Sequence, residues 1–158
     1  AAHAATGLDY LILTQGMATV QSYTPTKDGN DQKLQLHFYS RMLLVQNLVP
    51  TLQRSKHGGR VLSVLSAGVH SPYVNFRNDP GLGGGNYSIK NAADAAGFYN
   101  DLGLDAISQM YPSVNITHAA PGFVNTNWGT ELPGVLRFGI RIMQPLFGRS
   151  LQRCGQLL

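Results

Sequence analysis

The chain has 158 residues, 43% of them hydrophobic and only 13% charged, with a formal net charge of +4 at pH 7. That is the length of one domain with enough apolar content to bury a core, which excludes a disordered polyelectrolyte. The twelve Lys and Arg are scattered rather than clustered, which argues against a nucleic-acid footprint, and no run nears the ~18 apolar residues of a membrane span. The single cysteine, Cys154, rules out an internal disulfide and points to a reducing, cytoplasmic setting. Residues 1–7 read as a tail, without the basic and apolar regions of a signal peptide.

Leu8 to Leu13 is the first apolar run and predicts a buried strand, closed at Gly16. Met17 to Asp31 is polar, with Pro25 and Asp28-Gly29-Asn30 as turn chemistry. From about Gln32 to Arg54 the pattern is helical: Leu34, Phe38, Met42, Val45 and Val49 recur at steps of three or four. Leu36, Tyr39, Leu43 and Leu44 widen that stripe and predict cover on two sides. Pro50 should end or kink the helix. The run from Gly59 to Gly68 is the one around which the chain is organised. Rich in Val and Leu and bounded by glycines, it reads as a strand over about 60–66, buried on both faces of a parallel sheet.

Val69 to Gly85 is irregular. Gly81-Leu82-Gly83-Gly84-Gly85 lacks the third glycine of G-x-G-x-x-G and follows no strand, so it reads as a lid or surface loop rather than a nucleotide loop. A second long helix, over about 87–110, carries Ala92, Ala93, Ala95 and Ala96, small enough for close packing against a neighbour. Ser113 to Ala119 is the third strand, followed by Pro121-Gly122. Beyond it lie Trp128, Pro133-Gly134 and an apolar, basic stretch to Phe147. Ser150 caps the start of a final helix. Strand, helix, strand, helix, strand and partial helix make βαβ units, hence an α/β fold with a parallel sheet in a single domain.

Four of these stretches carry a family resemblance. They are Leu8 to Gly16, Gly59 to Gly68, the helix from Ala95 to Ser108, and Pro121-Gly122-Phe123-Val124-Asn125-Thr126. Together they resemble the short-chain dehydrogenase/reductase family, of the retinol-dehydrogenase-like type. The last stretch, Pro-Gly-x-Val-x-Thr, is the most specific because it follows a strand. The resemblance runs from Leu8 to the end. It implies a Rossmann-like three-layer fold, an oxidoreductase acting on a carbonyl or secondary alcohol, and NAD or NADP as cofactor. It also implies Ser66 as the catalytic serine, Tyr87 and Lys90 as the candidate acid/base pair, and Gly16, Pro121, Gly122, Val124 and Thr126 beside the cofactor.

The chain departs from the family pattern at two places. The strand, glycine-rich turn and helix that hold a pyrophosphate have no counterpart before Leu8, so the fold is expected to be a truncated, partial Rossmann-like domain. The family's Tyr-x-x-x-Lys puts phenol and ammonium on one helix face. Here Tyr87 and Lys90 are three apart. A gapless alignment on Ala95-Ala96 instead puts Lys90 and Asp94 on those two positions, and the family's helix asparagine falls on His37.

Alternatives therefore stay open at each site. Ser66 is a substrate-oxygen donor or the cap of a strand end. Tyr87 and Lys90 are a dyad or an ordinary helix start. Pro121, Gly122 and Thr126 border a cofactor or merely shape a turn. The five histidines share no metal-ligand spacing, so no metal site is expected; His37 and His118 read as packed and hydrogen-bonded. The function is an impaired oxidoreductase or a non-catalytic, partner-binding protein on the same scaffold, with no cofactor bound in the second case. An apolar strand at 8–13 on the sheet edge implies self-association or a protein partner there, or along the two long helices.

Overall fold

The computed structural model describes residues 6–126 and 131–157. Trp128 lies outside them. Three strands form one parallel sheet in sequence order: β1 (Tyr10–Leu13), β2 (Arg60–Val64) and β3 (Asn115–Ala119). All three expected strands are present, each shorter than its apolar run. The fold is the expected Rossmann-like α/β arrangement.

The first long helix begins at Asp31, whose carboxylate accepts from the Lys33 and Leu34 amides as an N-cap and from the Thr24 amide as a loop anchor. It runs as α1 (Gln32–Leu34), a π-helical stretch (Gln35–Tyr39) and α2 (Ser40–Leu52). Pro50 sits in its last turn, where it withholds one amide from the Gln46 carbonyl, and the helix stops two residues later. α3 (Ile89–Met110) is capped by Ser88, whose hydroxyl accepts from the Asn91 amide, so Tyr87 lies outside the helix expected to contain it.

The register explains the core. Leu11, Val61 and Ile116 are aligned across the sheet on the face that meets α2 and α3. There they join Leu13, Met42, Val45, Val49, Leu52, Leu104 and Ile107. The opposite face, with Tyr10, Ile12, Leu62 and Val64, is not packed into this core. Two expectations are corrected by this arrangement. The central strand is buried on one face only, because both crossover helices lie on the same side. The first helix is likewise covered on one side, leaving Leu43 and Leu44 exposed. The C-terminal helix α5 (Leu151–Leu157) is capped by Ser150, whose hydroxyl accepts from the Arg153 amide as expected.

A second cluster holds Leu34, Tyr73, Leu82, Ala92, Ala95 and Ala96. It orders the glycine-rich segment that read as a lid or surface loop. Leu82 is buried at a positive φ of 64°. Burial works against ionisation of Asp79. Donation from the Asn86 side chain and from the Gly84 and Asn86 amides outweighs it and holds the carboxyl below its ordinary range. The loop is therefore wound around its own carboxylate.

The apolar, basic stretch after residue 133, to which the sequence pattern assigned no element, forms helix α4 (Gly134–Phe147). Gly139 and Pro145 disguise it in the sequence, although apolar residues recur along it at helical spacing.

Candidate functional site

One large cleft, about 1630 Å³, runs along the uncovered sheet face to the carboxyl ends of the strands. Its upper wall contains Gly16, Pro121, Gly122, Val124 and Thr126, the five residues the resemblance sets beside a cofactor. Gly122 is at φ +73°, a conformation that L side chains rarely adopt. The Pro121–Thr126 segment is fixed from behind by the C-terminal region. Phe123 and Asn125 exchange backbone hydrogen bonds with Arg149 (2.8 and 2.9 Å), and the Gln144 side chain donates to the Thr126 carbonyl (2.8 Å).

Gln15, in the same wall, has its side-chain nitrogen buried with no hydrogen-bond partner among the described residues. An orphaned donor in a cleft is a site where a ligand's acceptor would repay desolvation. This single donor fits one acceptor of a polar ligand such as a nicotinamide dinucleotide.

The floor of this end is made by Arg41 and His37. Arg41 is fully buried and pairs with no carboxylate among the described residues. Its guanidinium donates to the carbonyls of Leu13 (3.3 Å), Val64 (2.9 Å) and Gln15, and to the Ser63 hydroxyl (2.8 Å). Burial lowers its pKa to about 10, so it remains a cation at neutral pH. It ties the end of β1 to the end of β2 and gives the cleft positive potential. His37 accepts the Met17 amide at Nε2 (2.9 Å). Burial first, then Arg41 and Lys33, lower its pKa to about 4 against the opposing pull of Asp31, so the ring is neutral. As the sequence reading expected, it is packed and hydrogen-bonded. The π-helical stretch around it frees its carbonyl to accept from Asn100 (2.8 Å).

Ser66 does not line this cleft. β2 ends at Val64, and Ser66 opens a turn whose carbonyl accepts the Val69 amide (3.1 Å), with Gly68 at φ +69°. The Ser66 hydroxyl is buried without a partner among the described residues and faces Gly97 of α3, whose missing Cβ would lie 2.5 Å from it. Beside it is a group that the sequence reading did not find. Asp101 of α3 receives both His70 (3.1 Å) and His118. His70 Nδ1 also meets the Ser66 carbonyl (2.8 Å), so the ring bridges the turn after β2 and Asp101. Asp101 thus joins the turn after β2 to β3. Its position one helical turn after Gly97 was the available signal.

Tyr87 and Lys90 are not brought together. The Tyr87 hydroxyl accepts from Lys33 Nζ (2.7 Å) and donates to the Gln21 carbonyl (3.1 Å). Lys90 instead pairs with Asp94, four residues on, and Asp94 also accepts the Ser71 amide. Because Tyr87 precedes the cap at Ser88, its phenol points to the first helix rather than along α3. The tyrosine of this chain meets a lysine, but from a different element, and neither lines the cleft. Among the described residues, no group of three or more His, Cys, Asp or Glu is placed to hold a metal ion.

No family model matches the sequence. The chain is 30% identical over 94% of its length to an NmrA-like family domain-containing oxidoreductase of Aspergillus sp. (strain MF297-2), covering 43% of that protein. It is 26% identical over 90% of its length to a short chain dehydrogenase of Arthrobotrys oligospora, covering 48% of it. The crystal structure of the KRED1-Pglu enzyme superposes with a TM-score of 0.60 at 17% identity, over 94% of this chain and 60% of that one. The chain spans less than half the length of these curated relatives. Two of the curated relatives are named short-chain dehydrogenases or reductases, and the solved structure shares the fold of this chain.

Proposed function

We propose that this chain is the nicotinamide-side part of an NAD(P)-dependent oxidoreductase of the retinol-dehydrogenase-like type, acting on a carbonyl or secondary alcohol. One observation carries the reading: Gly16, Pro121, Gly122, Val124 and Thr126 all border the same cleft, with the unpartnered Gln15 amide among them. When bound, the dinucleotide supplies the hydride. The chain's own groups position and select. Pro121-Gly122 shapes the wall, Val124 offers apolar contact, Gln15 donates to an acceptor, and buried Arg41 favours an anionic ligand through its field.

Calorimetric titration with NADH and NADPH tests this. Saturable binding is expected for one of them at or below about 1 mM. Gln15→Leu is expected to weaken it about tenfold while leaving the melting temperature unchanged, since the amide nitrogen has no partner to lose. No heat from either cofactor at that concentration removes the proposal.

A second reading is favoured by the placement of Ser66, Tyr87 and Lys90, none of which lines the cleft. In that reading the scaffold is non-catalytic and binds a partner, or a second copy, at the β1 edge or along the long helices. Tyr10 and Ile12 on β1 are each 59% exposed, and β1 pairs only with β2 among the described residues. Static light scattering at micromolar concentration is then expected to give a mass above that of one chain; a monodisperse monomer would count against pairing between copies.

A further inference from the structure

α4 is turned inside out relative to an ordinary surface helix. Its buried residue is Gln144, held on the Thr126 carbonyl, while its apolar stripe faces solvent. Val135, Phe138, Ile142 and Leu146 lie at helical spacing on one side, with Met143 and Phe147 beside them. Val135 is 86% exposed, Leu146 70% and Phe147 71%. An apolar face of this size is not left to water without a reason.

The charge around it says what it meets. Residues 134–157 contain Arg137, Arg141, Arg149 and Arg153 and no acidic residue. The other eight Lys and Arg balance all eight Asp and Glu, so this segment carries the whole formal charge of +4. No carboxylate pairs with any of the four arginines among the described residues. Arg137 and Arg141 flank the stripe toward the side of Gln144, and a second copy of residues 134–157 would offer them no carboxylate. An anionic lipid surface supplies both missing partners: an apolar phase for the stripe and phosphates for the guanidiniums. The helix has 14 residues, about 21 Å, which suits lying in the interface. Among the described residues no helix is long and apolar enough to cross the membrane.

We propose that α4 docks the protein on anionic phospholipid bilayers, lying in the interface plane with the Val135–Leu146 stripe in the acyl boundary and Arg137 and Arg141 on the headgroups. The reading is independent of the cofactor assignment.

Co-sedimentation of the full 158-residue chain with vesicles tests it. Binding is expected to phosphatidylcholine vesicles containing about a third phosphatidylserine and to be about tenfold weaker to phosphatidylcholine alone. It should also drop as salt rises from about 0.1 M to about 0.5 M and the Debye length shrinks. The double variant Val135→Ser/Leu146→Ser removes only solvent-facing side chains. It is expected to lose binding about tenfold with an unchanged circular dichroism spectrum. Arg137→Gln/Arg141→Gln should abolish the preference for phosphatidylserine. No binding, equal binding to both vesicles, or full binding by the serine variant overturns the proposal. So does self-association in buffer that the serine variant loses while vesicles fail to bind, which would assign the face to a second copy.

Discussion

Replacing Arg41 by methionine lowers the stability of the fold by about 3 kcal/mol, measured by urea denaturation followed by circular dichroism. The reason is what the side chain leaves behind. Three backbone carbonyls, of Leu13, Gln15 and Val64, accept from this one guanidinium, together with the Ser63 hydroxyl. Burying a cation is costly, and replacing a buried ion pair by apolar groups is often neutral. Here the partners are not side chains that can be removed with it. They are strand ends, and each orphaned carbonyl costs about 1–3 kcal/mol. Relief of the buried charge offsets part of that sum. Arg41→Lys keeps the charge but presents a point donor without the planar fork, so it is expected to recover only part of the loss. A methionine variant as stable as the parent would mean that the carbonyls find other partners. Stapling of β1 to β2 would then not be the role of Arg41. Ligand binding should fall in step with stability, because Gln15 is held in the cleft wall by one of these bonds.

What was legible in the sequence follows from which interactions are local. The three strands could be read because each is a short run rich in apolar or β-branched residues bounded by turn signals. The spacing of Leu34, Met42, Val45 and Val49 fixed the buried face of the first helix. The Pro121–Thr126 motif could be placed because a turn after a strand is a local feature. Long-range pairings were not legible. Tyr87 finds Lys33 across 54 residues, and His70 and His118 meet on Asp101 from two other elements. Nothing in the neighbouring sequence marks such partners. The apparent dyad of Tyr87 and Lys90 failed to form for a local reason: Ser88 caps the helix between them, so they do not share its face. Arg41 was hidden because a basic residue inside an apolar helical stripe reads as solvated until the carbonyls around it are seen. α4 was hidden by its own glycine and proline.

Acid destabilises this fold before its carboxylates titrate, and His37 is the cause. Its folded pKa is about 4 against 6.5 in the unfolded chain, chiefly through burial and secondarily through Arg41. A depressed pKa means that the unfolded chain takes up the proton first. The stabilising contribution is complete above about pH 6.5 and is lost as pH falls toward 4. Across that window the shift corresponds to about 3 kcal/mol, at 1.36 kcal/mol per pKa unit. Asp79 and Asp94 have lowered pKa values, so their contributions disappear further down, below the ordinary carboxylate range, and the two windows separate. Urea midpoints collected between pH 7.5 and pH 4 should fall smoothly through the upper window. His37→Gln, which keeps an oxygen to accept the Met17 amide, should flatten that fall while leaving the carboxylate region unchanged. In the Arg41→Met background the slope should be shallower, because one of the charges holding His37 neutral is gone while burial remains. A parent protein whose midpoint is flat between pH 6.5 and pH 4.5 would show that His37 is protonated without cost, and the ring would then be open to solvent rather than locked under Met17.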